Sequence, residues 1–237
     1  MKMNTILTGS CIDILPTLPD KSFELAFADP PYWVGFDYGN KTDNDMEYIK
    51  PNFLITELLR IADCVLVTCG VANIHDYPKP SWVIAWNKPA STGRSEIAGF
   101  NVWEPVLVYG EPKKRIWQDS FTAPGGREND ANFHKCPKPV SLLMWLLDNF
   151  TDPGDKVIDP VCGSGTTLKA AKQSNRDYLG IEIDPEIVRQ SLVRLEGTQS
   201  PLSGLYNKAC KRPACDEQEM KQIKLGDEQA GDSFAGA

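Results

Sequence analysis

Apolar residues in this chain gather into short continuous runs, separated by longer stretches in which they recur every three or four positions. The runs at residues 5–7, 23–28, 64–68, 82–86, 106–109, 156–158 and 178–183 predict seven β-strands. They are continuous rather than alternating, the pattern of strands covered by helices on both faces of a parallel sheet. Between them, residues 47–62 place Ile49, Phe53, Leu58, Ile61 and Ala62 at helical spacings, and residues 139–150 read as a helix with Pro139 at its start. A third helix, 166–174, follows a glycine-rich turn, and a fourth, 185–195, follows Asp184 as an N-cap. Strands alternating with helices predict an α/β fold with a seven-stranded, mostly parallel sheet. In such sheets ligands bind beyond the carboxyl ends of the strands, so the segments that follow strands carry the candidate chemistry.

Composition narrows the class. The chain has 237 residues, of which 41% are hydrophobic and 24% charged, ordinary values for a globular chain. Its 25 basic and 32 acidic residues leave a net charge of −7, which argues against a surface that is basic all over. Only residues 113–138 run the other way, with six basic against three acidic groups, from Lys113, Lys114 and Arg115 through Arg127 to Lys138. That stretch reads either as a solvated loop or as a phosphate-contacting segment. No apolar run approaches the roughly 18–20 residues that cross a bilayer. Seven cysteines cannot all pair, and a cytoplasmic protein with reduced thiols is expected. Cys210 and Cys215 lie far from the two histidines, His75 and His134, so no metal site is expected. Residues 198–237 hold few large apolar groups and read as a disordered tail behind a domain of residues 1–197.

Three post-strand segments are unusual. Asp159, Pro160, Val161, Cys162, Gly163, Ser164, Gly165, Thr166 and Thr167 form a turn that opens a helix, where glycines permit close backbone approach and helix N–H groups are unpaired. It lacks the spacing and lysine of a nucleotide P-loop. Glu182 and Asp184 end the next strand, where an acidic group can accept hydrogen bonds from a ribose diol. Asp184 reads as a helix cap and Glu182 as the ribose candidate. Asp29, Pro30, Pro31, Tyr32 and Trp33 form a stiff turn presenting a carboxylate, bare carbonyls and aromatic rings. By itself that turn could equally be a rigid loop closing a strand. His134, Lys135, Cys136, Pro137, Lys138 and Pro139 lead into a helix, and alone they decide nothing.

Together the three segments resemble the DNA amino-methyltransferases, which move a methyl group from S-adenosylmethionine to an exocyclic base nitrogen. Asp29-Pro30-Pro31-Tyr32 is similar to that family's D/N/S-P-P-Y/F/W catalytic turn, Asp159–Thr167 to its D-P-F-x-G-S-G-T-T cofactor turn, and His134–Pro139 to its H-P-T-Q-K-P segment. The order of the three resembles the family's β group, a circular permutation of the Rossmann-like methyltransferase sheet. Ile84–Pro89 and Trp103–Leu107 also resemble later strands of the family. There are departures. Ser10 stands where the family usually has Asp, Trp33 where it often has Asn, Val161 for the aromatic of the glycine turn, and Lys135 for a proline.

The resemblance implies an S-adenosylmethionine-dependent enzyme, without metal, acting on double-stranded DNA as in restriction-modification. It implies catalytic roles for Asp29, Pro30, Pro31 and Tyr32. It implies cofactor contacts from Ser10, Asp29, His134, Lys138, Asp159, Cys162, Gly163, Ser164, Gly165, Thr166 and Glu182. DNA contacts fall to Trp33, Lys113, Lys114, Arg115 and Arg127. The target-recognition segment, residues 110–134, is short, which implies a short recognition site or a second subunit, as in a homodimer. Asp at position 29 inclines the product to N6-methyladenine, with cytosine N4 as the alternative. An RNA or protein amino-methyltransferase and a catalytically idle binding module are the rival classes.

Overall fold

A computed structural model describes residues 1–33, 35, 48–89, 94–95, 99–114, 116–125 and 137–199. Its centre is an eight-stranded sheet of β1 (Thr5–Thr8), β2 (Phe23–Ala28), β3 (Ala62–Thr68), β4 (Trp82–Asn87), β7 (Trp103–Gly110), β8 (Ser120–Thr122), β9 (Lys156–Asp159) and β10 (Asp177–Glu182). The strands lie in the order β1-β10-β9-β2-β3-β7-β4-β8. Only β7 runs antiparallel to its neighbours. A separate two-stranded ribbon pairs β5 (Arg94–Ser95) with β6 (Gly99–Phe100). The seven predicted strands are all present. The three-residue β8 and the ribbon are additions whose apolar runs are too short to register as strands.

Side chains alternate between two apolar layers. Leu25, Phe27, Cys64, Leu66 and Val157 face α3 (Val140–Phe150), α4 (Thr166–Gln173) and α5 (Pro185–Glu196). Phe23, Ala26, Val65, Val67 and Ile158 face α1 (Cys11–Ile14) and α2 (Pro51–Ile61). Pro51 and Pro185 open their helices at N1, where no N–H is required, and Asp184 caps α5 by accepting from the backbone N–H of Glu186 and Ile187. α2 is shorter than residues 47–62 because the chain turns extended at Ala62, which already pairs with Phe23. Thr198, assigned to the tail by composition, is buried and its hydroxyl donates to the Arg194 carbonyl; residues 200–237 lie outside the described residues.

β9 and β2 are neighbours, but the helix after β9 covers one face and the helix after β2 covers the other. Chain connections diverge there, leaving a crevice at the carboxyl ends of these two strands, the usual ligand position in open α/β sheets. Asp29 follows β2 and the glycine turn follows β9, so both predicted motifs open onto that crevice.

Candidate active site

The glycine turn leaves β9 at Asp159, which is almost fully buried and accepts a 3.1 Å hydrogen bond from the Val161 N–H. Burial pushes its carboxyl up to about 7, and the nearby carboxylates of Asp29 and Glu182 push the same way. Gly163 and Gly165 have φ of 48° and 73°, the left-handed region that bends the chain into α4. Glu182, at the end of β10, accepts from the Gly163 N–H at 3.1 Å and from the Asp184 N–H at 2.9 Å, and burial raises its carboxyl above the usual range. Gly180, in the same strand, makes room for this arrangement. A Cβ there would stand 2.6 Å from Leu168 Cδ1 and 2.8 Å from Cys162 Sγ. Cys162 and Ser164 are buried in the turn, and the Ser164 hydroxyl bonds that of Thr166 at 3.2 Å. Ser10 ends the turn after β1, beside β10, and its Oγ accepts from the Ile12 N–H at 3.2 Å as the cap of α1.

Across the crevice, Asp29 is held from three sides. Its Oδ1 accepts from the Thr68 hydroxyl at 2.5 Å and from the Tyr32 hydroxyl at 3.0 Å, and the Lys138 ammonium lies 2.7 Å from the carboxylate. Lys138 also reaches the Tyr32 hydroxyl at 3.3 Å and stands 5.3 Å from the centroid of that ring. Glu104, on β7, accepts from the Tyr32 hydroxyl at 3.4 Å, lies 3.7 Å from Lys138 and forms an ion pair with Lys88. The Tyr32 phenol is raised well above its ordinary pKa, by burial first and then by the Asp29 charge. Both lysines and Glu104 are largely withdrawn from solvent, with side chains 10–14% exposed. Such charges are tolerable because they pair with one another.

The structure thus brings Ser10, Asp29, Tyr32, Lys138, Glu182 and the residues from Asp159 to Thr166 to one end of the sheet. Lys138, expected to contact the cofactor, is found on Asp29. Trp33 has φ of 50°, unusual for a bulky residue, and its ring packs edge-on against Tyr48 with centroids 4.7 Å apart. Lys113 and Lys114 sit elsewhere. They follow β7 at its Gly110 end, which pairs with the start of β3, and they form ion pairs with Asp155 and Asp152 just before β9. They therefore lie at the opposite end of the parallel strands from Asp29, engaged with carboxylates. Arg115, Arg127 and His134 lie outside the described residues. Thr68, Glu104 and Lys88 were not anticipated as site residues. A charged residue immediately before the buried run of β7 was the available signal for Glu104; Thr68 had none beyond its place at a strand end.

Among the described residues no three of His, Cys, Asp and Glu converge as a metal site would require, and no helix is long and apolar enough to cross a membrane. Cys11, Cys64, Cys69 and Cys162 are buried.

Residues 106–193 match the N6_N4_Mtase family model, described as DNA methylase. The chain is 27% identical over 245 residues to the Type II methyltransferase M.HinfI of Haemophilus influenzae, a match covering 81% of this chain and 68% of that protein. It is 26% identical over 246 residues to the DNA adenine methyltransferase YhdJ of Escherichia coli (strain K12), covering 81% and 82%. The fold superposes on the structure of an M1.HpyAVI-SAM complex with a TM-score of 0.57 at 19% identity, over 80% of this chain and 98% of that one. The family match over residues 106–193 and the relatives agree, and the chain is similar to the N6/N4 DNA methylases over most of its length.

Proposed function

We propose that the chain transfers a methyl group from S-adenosylmethionine to the exocyclic N6 of adenine in double-stranded DNA. One observation carries this reading: the Asp29 turn follows β2 and the Asp159 turn follows the neighbouring strand β9, so both lie at the carboxyl ends of the strands that border the switch-point crevice. The residues fit the cofactor. Three carboxylates around one crevice favour a ligand bearing a sulfonium and an ammonium, and Glu182 retains lone pairs for a ribose diol. When bound, the cofactor supplies an electrophilic methyl group.

The chain's own residues orient the nucleophile. Asp29 accepts one amine N–H and the Pro30 carbonyl the other, which draws the nitrogen lone pair out of conjugation with the ring and holds it in line. These acceptors also face the positive charge that develops on nitrogen as the N–CH3 bond forms and the S–CH3 bond breaks. The surplus amine proton leaves to Asp29 or to water. The base is unreachable in a duplex and must be flipped, and the Tyr32 and Trp33 rings flank the place where it would enter. Gly163 and Ser10 border the cofactor cradle, and Pro31 stiffens the turn. An aspartate at position 29, rather than a serine, inclines the target to adenine over cytosine N4, as the resemblance implies. We assign the activity to the cytoplasm, where the chain's buried cysteines would stay reduced.

Calorimetry tests the first half of this reading. S-adenosylmethionine should bind the wild type and bind Gly163→Val weakly, because a side chain there enters the cradle. Equal affinities would put the cofactor elsewhere.

A further inference from the structure

Asp29 is crowded for the task just assigned to it. A carboxylate has about four acceptor positions, and three are used by Thr68, Tyr32 and Lys138. The Lys138 contact is also electrostatically wrong for the transfer. An ammonium in contact with Asp29 neutralises the charge that should face the amine and repels the positive charge growing on it. Yet Lys138 has a second anion within reach. Its Nζ is 2.7 Å from Asp29 and 3.7 Å from Glu104 Oε2, a difference that rotation about the last side-chain bonds can reverse. Glu104 is fixed on the rigid strand β7, opposite Trp86, and its other oxygen is anchored by Lys88. The Trp86 ring lies under both lysines, with its centroid 5.4 Å from Lys88 Nζ and 6.0 Å from Lys138 Nζ, a polarisable floor along which an ammonium can shift.

We propose that Glu104 is a positioning residue that takes the Lys138 ammonium from Asp29 as the target amine docks, with Lys88 holding Glu104 for the exchange. The inference rests on the methyl-transfer reading above. The ion pair on Asp29 keeps that carboxylate satisfied while no base is present, and Glu104 gives the lysine somewhere to go. No proton or electron moves in the exchange.

Removing the charge of Glu104 strands Lys138 on Asp29, so the test is a double-mutant comparison. Glu104→Gln should lower kcat by about 30-fold or more, the low end for loss of one partner of a buried charge pair, while the affinity for S-adenosylmethionine stays within about twofold. Adding Lys138→Gln should then restore part of the lost kcat, because the competing ammonium has gone. A purely structural ion pair would show the same coupling in melting temperature, so a recovery of kcat in the double variant without a matching recovery of melting temperature marks the exchange. Losses that multiply in the double variant, or a Glu104→Gln enzyme within twofold of wild type, would overturn the inference. If Glu104→Gln does not fold, Glu104→Asp keeps the charge but withdraws it from Lys138 by one methylene; it should lower kcat by a smaller factor, and adding Lys138→Gln should again restore part of the loss. A wild type that transfers no label to DNA would instead overturn the methyl-transfer reading itself.

Discussion

Asp159→Asn is a substitution whose effect can be worked out from burial alone. The wild-type carboxyl is nearly free of solvent exposure and its pKa is pushed from the ordinary 3.8 to about 7, chiefly by desolvation. A raised acid pKa means that the folded state resists ionisation. The group's contribution to stability is therefore fully present below about pH 4 and is lost as pH rises through about 7. From the two pKa values the loss amounts to about 4 kcal/mol at pH 8 and under about 2 kcal/mol at pH 5. Asparagine cannot ionise, keeps an oxygen for the Val161 N–H, and can still bond the Thr167 hydroxyl. The variant should thus be the more stable protein at pH 8, with an advantage that shrinks on acidification. At about 2–4 °C per kcal/mol for a domain of this size, the melting temperature should rise by the order of 10 °C at pH 8 and by only a few degrees at pH 5. A melting series from pH 5 to pH 8.5 without ligand reads this directly. An Asp159→Asn variant that melts below wild type by the same margin throughout would show that Asp159 ionises at little cost, and would refute the picture of a desolvated cradle. The same substitution should weaken S-adenosylmethionine binding at pH 8, since it removes a negative charge from a site suited to a cation.

Other outcomes follow from particular contacts. Asp29→Ala should abolish methyl transfer while leaving most of the cofactor affinity; retention of more than about a tenth of wild-type kcat, a loss under about 1.4 kcal/mol, would be too small for the role assigned. Gly180→Ala should destabilise by roughly 1–3 kcal/mol in chemical denaturation, because its Cβ would collide with Leu168 and Cys162, and should loosen cofactor binding through the displaced turn. Lys113→Gln with Lys114→Gln should leave the salt dependence of DNA binding nearly unchanged in fluorescence anisotropy, since both lysines pair with acids at the far end of the sheet. A chain ending at Gln199 should melt with the full-length chain, whereas one ending at Gly197 loses the Thr198 hydroxyl bond to Arg194 and should melt a few degrees lower.

The parallel sheet was legible because each of its strands is a continuous apolar run, and burial on both faces imposes that composition. The glycine turn was legible for a related reason: its left-handed positions at Gly163 and Gly165 demand glycine in fixed places. What could not be read was long-range pairing. Lys138 meets Asp29 across 109 residues of chain, and nothing in the local sequence around either one says which charge it will find. Lys113 and Lys114 show the same limit: the local sequence does not say that they will pair with Asp155 and Asp152. Glu104 lies in a segment that resembles the family through its strand, and only the folded chain shows its carboxylate meeting Tyr32 and Lys138.

Methyl transfer through Asp29 can be read by incubating the purified protein with unmethylated plasmid and methyl-labelled S-adenosylmethionine, then digesting the DNA to nucleosides for mass spectrometry. The wild type should give labelled N6-methyladenine and Asp29→Ala none. Labelled N4-methylcytosine would correct the base and keep the mechanism, whereas unlabelled DNA, or equal labelling by the Asp29→Ala protein, would rule out methyl transfer through Asp29.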